Sequence, residues 1–374
     1  MIPFNKPFVP EVSKKYAMEA LESTHQQGDG LFTKRASKMV SDLVGGGHVL
    51  LTPSCTHALE MASMLGNFGP GDEVILPSYT FTSAATAVTK FGATPVFVDI
   101  EKETKGIDVN QVRDAITPQT KAVSWVNYAG VAPDIEGLQS LAKEFNLLLI
   151  EDNAHGLGGS YKGKPLGSFG DFATQSFHAT KNIQCGEGGA LVINAPQFIE
   201  RAEIIREKGT DRKKYIKKEV QKYQWVDQGS SYLLAETLAA VLLGQLETFQ
   251  EIQDTREKQV SAYEVLFKET NLIELQKFSI GTNLTNSSHM FYLELSEMYR
   301  ASFMDRLSQW VSTSTHYVPL HDSRKGREFK NTLKKENQGN IFSQRILRFP
   351  VHSNNSLSNT HINATIQSLT REFC

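Results

Sequence analysis

The feature that most narrows the fold of this chain is an alternation. Through the first two-thirds, short apolar runs take turns with segments whose apolar residues recur at helical spacing. Val49-Leu50-Leu51-Thr52 reads as a buried strand, and His57–Leu65 places Ala58, Leu59, Ala62 and Leu65 along one helical face. Gly69-Pro70-Gly71-Asp72 is turn chemistry. Further strands are expected at Glu73–Leu76, Pro95–Ile100, Lys121–Asn127, Leu147–Ile150 and Gly188–Asn194. Between them, helices are expected at Ser83–Phe91, Asp108–Ile116 (Asp108 as N-cap), Asp134–Phe145 and Gln197–Lys208. Strands apolar on both sides, alternating with helices, imply an α/β sheet covered on both faces.

The pattern changes near residue 245. Leu242–Arg256 reads as one long helix with Leu243, Leu246, Phe249 and Ile252 in a stripe. Beyond it strands are sparse, at His289–Leu295 and Ser314–Val318, with helices at Arg300–Trp310 and His361–Phe373 and a polar surface loop at Arg324–Gly339. A chain of 374 residues therefore divides into a large α/β domain, 1–245, and a smaller α+β domain, 246–374. Lys and Arg number 39 against 41 Asp and Glu, a net charge of −2 that argues against a nucleic-acid groove built on bulk positive charge. Cys55, Cys185 and Cys374 are too few and too scattered for a disulfide framework or a four-ligand zinc site. Met1–Pro7 lacks the apolar core of a signal peptide, and the Leu238–Leu243 run is far too short to span a bilayer. The expectation is a cytoplasmic enzyme without metal, nucleic-acid partner or membrane span.

Three stretches carry chemistry. Ser54-Cys55-Thr56-His57 lies between a strand and a helix, where free N–H groups and a hydroxyl make a phosphate cradle, although Ser and Thr also cap helices for no other reason. Glu151-Asp152 directly follows an apolar strand, and ligands of open α/β sheets gather at such carboxyl ends; a helix cap or a solvent-facing turn would read the same. Ser176 through Asn182 sets Lys181 before Gly186-Glu187-Gly188-Gly189, where a solvated surface lysine is the plain alternative. Together the three supply what pyridoxal 5'-phosphate (PLP) needs: an amine for a Schiff base, a carboxylate for the pyridinium nitrogen and a cup for the phosphate. No G-x-G-x-x-G follows the first strand, and no G-x-x-x-x-G-K-[ST] is present, which disfavours dinucleotide and P-loop readings.

With these residues in view, the chain resembles the DegT/StrS family of PLP-dependent sugar-nucleotide aminotransferases. The matching stretches run from Ile2-Pro3-Phe4-Asn5 to Phe349-Pro350 and include Gly71–Ile75, Pro77–Phe81, Glu151-Asp152, Ser176–Asn182 and Gly186–Gly189. The resemblance implies the aspartate aminotransferase fold (fold type I), a large α/β domain with a mixed, mostly parallel sheet and a smaller α+β C-terminal domain.

The resemblance also implies roles. Lys181 would be the Schiff-base lysine and proton shuttle, and Asp152 would keep the pyridine nitrogen protonated. Phe81 would stack on the cofactor ring, and His155 would sit beside it. Cys55, Thr56 and His57, with Ser176, would bind the phosphate. His316 and Tyr317 match a stretch near the sugar, with a satisfied strand histidine as the alternative for His316. Many relatives carry Gly-Tyr-Asn-Tyr-Arg where this chain has Gly229-Ser230-Ser231-Tyr232-Leu233. Ser231 would then reach the phosphate of the partner in a homodimer with shared active sites, unless it merely caps the next helix. The implied reaction moves the amino group of L-glutamate to a dTDP-linked keto-sugar, dTDP-4-dehydro-6-deoxy-D-glucose. A 3-keto-sugar acceptor, a dehydratase and a non-catalytic PLP-binding regulator are the alternatives. Dehydratase relatives replace the lysine by His, whereas Lys181 stands here.

Overall fold

The computed structural model describes residues 1–269, 284–334 and 336–354. Helices α1 (Glu11–Glu22) and α2 (Leu31–Leu43) precede an alternating core. The core runs β1 (His48–Thr52), α3 (Cys55–Leu65), β2 (Glu73–Pro77), α4 (Thr82–Thr89), β3 (Thr94–Val98), α5 (Val109–Ala115), β4 (Thr120–Val126), α6 (Ile135–Phe145) and β5 (Leu148–Asp152). A short hairpin, β6 (Ser160–Tyr161) and β7 (Lys164–Pro165), leads to β8 (Phe172–Ser176) and β9 (Gly189–Ile193). Seven strands make one sheet in the order β1-β9-β8-β5-β4-β2-β3. β3, β2, β4, β5 and β8 are parallel, and β9 runs antiparallel to both β8 and β1. This mixed, mostly parallel sheet is the expected fold type I α/β arrangement.

The pleat explains the layering. Successive side chains leave a strand on opposite faces. Leu50, Val74 and Leu76 therefore pack under α3 and α4, while Ile75, Val96, Val123 and Leu149 pack under α5 and α6. After β9 come α7 (Ile199–Arg206) and α8 (Arg212–Ile216), and Leu51 and Ala190 join a third cluster with α2 and α9 (Glu236–Glu247). Asp108 caps α5 as expected, accepting the Asn110 and Gln111 N–H groups, and Asp134 caps α6 by accepting the Gly137 N–H.

The last third departs from expectation in several places. The single helix expected over Leu242–Arg256 is two, α9 and α10 (Phe249–Glu269), which meet at Thr248, where φ of −101° and ψ of 16° leave the helical range. Strand β11 (Phe291–Glu294), after the short β10 (Leu284–Thr285), pairs antiparallel with β12 (Ile346–Phe349), a strand the periodicity did not announce. Ser314–Val318 is no strand: only Ser314 bridges, to Arg348, before Tyr317 turns with φ of +29°. Nor is all of Arg324–Gly339 a surface loop. Asn337 is buried, and the N–H groups of Gln338 and Gly339 donate to Asp99 at 2.7 and 2.8 Å, at the start of α12 (Gln338–Arg345). Tyr263, Phe291, Leu293, Leu347 and Phe349, with Phe303 and Leu307 of α11 (Glu297–Leu307), form an apolar cluster of their own. The helix expected at His361–Phe373 lies outside the described residues. Among those residues, no helix is long and apolar enough to cross a membrane.

A buried carboxylate holds the N-terminal helices to this frame. Glu236, 2% exposed, accepts N–H bonds from Gly30, Phe32 and Thr33 at 2.9–3.0 Å and so caps α2 from 204 residues away. Glu236→Ala should leave three buried donors unpaired and lower unfolding free energy by roughly 3–5 kcal/mol, with Glu236→Gln losing less. Urea denaturation checks this, and a loss under about 1 kcal/mol would remove Glu236 as the cap.

Candidate active site

The site grows from the carboxyl ends of β5 and β8. The pleat sends the two acids of β5 in opposite directions. Glu151 is fully buried and accepts from the N–H groups of Gly167, Phe169 and Gly170 and from Asn127 Nδ2, so it fastens the loop before β8. Asp152 turns the other way, into a cavity of about 500 Å³. Its Oδ1 accepts the Ala154 N–H at 3.1 Å, and burial raises its pKa. Neither acid is a helix cap or a solvent-facing turn.

Between β8 and β9 the chain folds back on itself. Phe177 N donates to Gly188 O, Cys185 N to Phe177 O and Ala179 N to Gly186 O, with Gly186 at a φ of +85°. This hairpin presents Lys181 to the cavity. Among the described residues, Lys181 Nζ makes no hydrogen bond or ion pair, and burial pushes its pKa down to about 8. Strand β9 also presses on the turn after β1. A Cβ on Gly189 would lie 2.3 Å from the Ser54 carbonyl carbon and 2.4 Å from Cys55 N, so only glycine lets these backbones meet.

That turn opens α3. Ser54 is its N-cap and accepts the His57 N–H at 3.2 Å, which leaves the Cys55 and Thr56 N–H groups as first-turn donors without intrahelical acceptors. Thr56 Oγ1 lies 2.7 Å from Ser83 Oγ on α4. The Cys55 thiol points inward, 3.4 Å from Thr174 Oγ1 and 3.9 Å from Asp152 Oδ1, and burial pushes it up. Cys55 thus offers the cup its N–H rather than its sulfur.

Cys55, Thr56, Phe81, Asp152, His155, Ser176, Lys181, His316 and Tyr317 all line this one cavity. His57 does not: its Nδ1 lies 3.1 Å from Ser54 Oγ, and its ring faces Tyr232 at 5.3 Å. Ser231 is exposed and does not line the cavity of its own chain. It does not cap a helix either, because α9 begins at Glu236 after Ala235.

One wall is imidazole and phenol. His155 stacks on His289 at 4.4 Å and lies 5.9 Å from His316, both pairs tilted by 19°. His289 Nδ1 lies 2.9 Å from Asn182 Oδ1, and His316 Nδ1 lies 2.8 Å from the Tyr128 hydroxyl. Burial, with the nearby Lys181 and Arg348 cations, holds all three rings well below the usual histidine range, His316 at about 2. His316 is therefore not a strand histidine but a wall residue of the cavity. Sequence reasoning missed His289, Ser83, His178 and Arg348, which also line it. Arg348 left a signal: it is the one charge inside the apolar run Ile346–Phe349.

Residues 10–370 match the model of the DegT/DnrJ/EryC1/StrS aminotransferase family, and the chain belongs to that family. GDP-perosamine synthase of Caulobacter vibrioides is 36% identical over 251 residues, 67% of this chain and 66% of its own. A putative sugar aminotransferase of Streptococcus pneumoniae, solved in its pyridoxamine-phosphate form, is 25% identical with a TM-score of 0.89 and covers 100% of both chains. DesI, solved with its TDP-sugar product, is 26% identical with a TM-score of 0.87, covering 98% of this chain and 91% of its own. The protein is accordingly a PLP-dependent aminotransferase.

The donor set fits that cofactor. First-turn N–H groups and the Thr56 and Ser176 hydroxyls suit a phosphate, Asp152 a pyridinium nitrogen and the 56% exposed Phe81 ring a flat heteroaromatic face. His155 Nδ1 is buried without a partner, a vacant valence beside the other groups.

The buried amine has a measurable cost in the cofactor-free protein. The unfolded chain keeps the Lys181 proton up to about pH 10.5, whereas the folded chain releases it near 8. Between these values the unfolded state binds more protons, so stability rises with pH, and below about 8 the full penalty applies. Lys181→Met should therefore be more stable than the parent at pH 7, by on the order of 3 kcal/mol, with the gap closing toward pH 10.5. Urea titrations of the two apoproteins across that range check it, and a pH-independent gap would contradict it.

Proposed function

We propose that the chain transfers the amino group of L-glutamate to a nucleotide-linked keto-sugar. The acceptor in this reading is dTDP-4-dehydro-6-deoxy-D-glucose. The product is dTDP-4-amino-4,6-dideoxy-D-galactose or its gluco epimer, for surface polysaccharide synthesis. This is the reaction of dTDP-4-amino-4,6-dideoxygalactose transaminase, whose sequence is resembled at Leu51–Thr56, Tyr128–Ala132, Arg206–Thr210 and His289–Tyr292. The observation that carries the transfer chemistry is an unpartnered, desolvated Lys181 amine in the same cavity as the Asp152 carboxylate.

PLP, when bound, supplies an electron sink for the carbon that loses or gains a proton. Lys181 Nζ would hold the cofactor between turnovers and, once released, take a proton from the donor's Cα and return one to the acceptor side. A pKa of about 8 suits both directions near neutral pH. Asp152, anchored by the Ala154 N–H, would keep the ring nitrogen protonated. His155, held neutral, would meet the ring through its free Nδ1. Phe81 and Tyr317, 6.1 Å apart, would cover the ring and exclude water.

The second substrate is placed by its anionic nucleotide, and relatives differ there: one is named for a GDP-sugar and another was solved with a TDP-sugar. Purified enzyme should shift its visible absorbance from the lysine-bound to the pyridoxamine form on adding L-glutamate, and the dTDP-keto-sugar should reverse the shift. Lys181→Ala should lose transamination by at least 1,000-fold, and Asp152→Asn by at least 100-fold at similar bulk. NMR of the amino-sugar fixes its configuration. An unchanged spectrum with glutamate, or preferred turnover of the GDP-linked sugar, would overturn the corresponding half of the assignment.

In this reading Ser231 completes the partner's phosphate cup, which accounts for a polar residue exposed and outside its own cavity. Ser231→Asp would set a carboxylate against the phosphate and weaken PLP retention by on the order of 10-fold or more. Mixed with Lys181→Ala, it should recover activity, because one site of the hybrid carries both native residues. A fully active monomer in sedimentation, or exchanged hybrids without recovery, would refute the shared site.

A further inference from the structure

The residue after Lys181 is tied down more heavily than the lysine itself. Asn182 is buried and bonded at three atoms: Nδ2 donates to Ser287 O at 2.8 Å, Oδ1 lies 2.9 Å from His289 Nδ1, and its carbonyl accepts from Ser353 Oγ at 3.0 Å. Helix α10 braces both serines, since Gln253 Nε2 donates to Ser287 O at 2.9 Å and Arg256 Nη1 to Ser353 Oγ at 3.2 Å. The transfer chemistry above uses none of these contacts and leaves His289, a wall residue of the cavity, without a task.

These bonds decide which nitrogen of His289 carries its proton. Ser287 O is a carbonyl oxygen and only accepts, so the NH2 end of the Asn182 amide has to face it. The oxygen end then faces His289, and an amide oxygen also only accepts, so His289 Nδ1 is the donor. Burial and the Lys181, Arg256 and Arg348 cations, with the His316 ring, keep His289 uncharged. A neutral imidazole has one N–H, so Nε2 carries a lone pair. Among the described residues Nε2 has no hydrogen-bond partner. The plane of the ring is fixed as well, by His155 stacked on it at 4.4 Å with a tilt of 19°. His289 and Lys181 line the main cavity together, and with His155 and Asn182 they line a second, smaller void that shares these walls.

We propose that Asn182 and His289 are positioning residues for the Lys181 amine: Asn182 locks His289 in its Nδ1–H form, and the Nε2 lone pair so presented accepts a hydrogen bond from Lys181 Nζ whenever that nitrogen carries the transferred proton. On taking a proton from the donor's Cα the amine becomes an ammonium with three N–H groups to place, while Asp152 is committed to the ring nitrogen. A neutral acceptor steadies the ammonium without the ion pair that a carboxylate would form, so the proton stays transferable. The tautomer stands on hydrogen-bond geometry; the use of Nε2 rests on the proposed role of Lys181.

The tautomer is read from the imidazole 15N shifts of labelled protein with and without PLP, His289 being assigned by its loss in His289→Gln. A protonated Nδ1 and an unprotonated Nε2 at neutral pH are expected, and a ring protonated at Nε2 overturns the proposal. The use of Nε2 is read by stopped-flow decay of the lysine-bound absorbance, with L-glutamate and with glutamate deuterated at Cα. His289→Phe keeps a flat ring against His155 and loses both nitrogens. It should slow proton transfer by on the order of 30-fold, the worth of one charge-assisted hydrogen bond, and raise the deuterium effect, with half-saturating glutamate changed by less than about threefold. His289→Gln can donate to Asn182 at one end of its amide and accept at the other, and should recover most of the rate. An unslowed His289→Phe overturns the proposal. So does a His289→Gln as slow as His289→Phe with the deuterium effect of the parent, which would make the ring a packing element. Retained turnover in Lys181→Ala would overturn the reading of the amine and the use of Nε2 built on it, whatever the tautomer, whereas the other outcomes leave that reading standing.

Discussion

Desolvation of a lysine beside a carboxylate is the constraint around which this structure is arranged. Lys181 and Asp152 share a cavity whose walls desolvate both groups, where a charge persists only if something compensates it. The chain compensates selectively. Asp152 receives a backbone N–H, whereas Lys181 receives nothing and gives up basicity instead, to about 8. That asymmetry needs rigid support, because a mobile lysine would swing to solvent and recover its proton. The support is the hairpin of reciprocal backbone bonds between Phe177 and Gly188, closed by β9 lying against the Ser54 turn at Gly189.

The same logic distributes the other buried acids. Glu151, Asp99 and Glu236 each end on backbone N–H groups of distant loops or helix starts: residues 167–170, 338–339 and 30–33. A carboxylate among amides is a strong, directional tie, and each of these closes a connection too irregular for a strand ladder to hold. Asp152 alone among them faces the cavity with acceptor capacity to spare. One strand, β5, thus supplies both a structural and a chemical carboxylate by nothing more than the alternation of its pleat.

That division marks the boundary of what could be read from sequence. Strands β1 to β5 and β9 were legible because burial on both faces writes continuous apolar runs, α5 because Asp108 caps it, and α6 because its apolar residues recur at helical spacing. The cradle at Ser54–Thr56, Asp152 and Lys181 were legible because each sits at a strand end in an order that suits one cofactor. Helices α1 and α2 were not: α1 fully buries only Ser13 and Ala20, and α2, though it buries Phe32, Ala36 and Val40, starts at Gly30-Leu31 without a local side-chain cap because its cap lies at Glu236. The β12 strand hid behind Arg348, a charge that breaks the apolar run for a reason only the cavity reveals. The break at Thr248 is a turn of one residue's backbone within a continuous apolar stripe, which periodicity does not encode. His57 shows the converse: an imidazole in the right turn whose ring nonetheless packs on Tyr232.

The wall opposite the sheet then has a coherent electrostatic purpose. Three histidines and Tyr317 offer hydrogen-bonding atoms without charge, since burial holds the rings neutral and the phenol protonated, and the fully buried Tyr79 and Tyr128 back them from behind. Tyr79 donates to the His316 carbonyl and Tyr128 lies against its ring nitrogen, so His316 is fixed from two sides while Tyr317 takes the uncommon positive φ beside it. Backbone in that region costs about 1–3 kcal/mol and persists only where its surroundings over-determine it. The strain falls where a neutral, oriented polar surface is needed: a sugar is recognised by hydroxyls, which want donors and acceptors at fixed positions rather than charge. Fixed positive charge is left to Arg256 and Arg348, and the titratable amine to Lys181. In the proposed reaction, keeping neutral, cationic and titratable groups apart within one cavity would let a single site admit an amino acid and a nucleotide-sugar in turn.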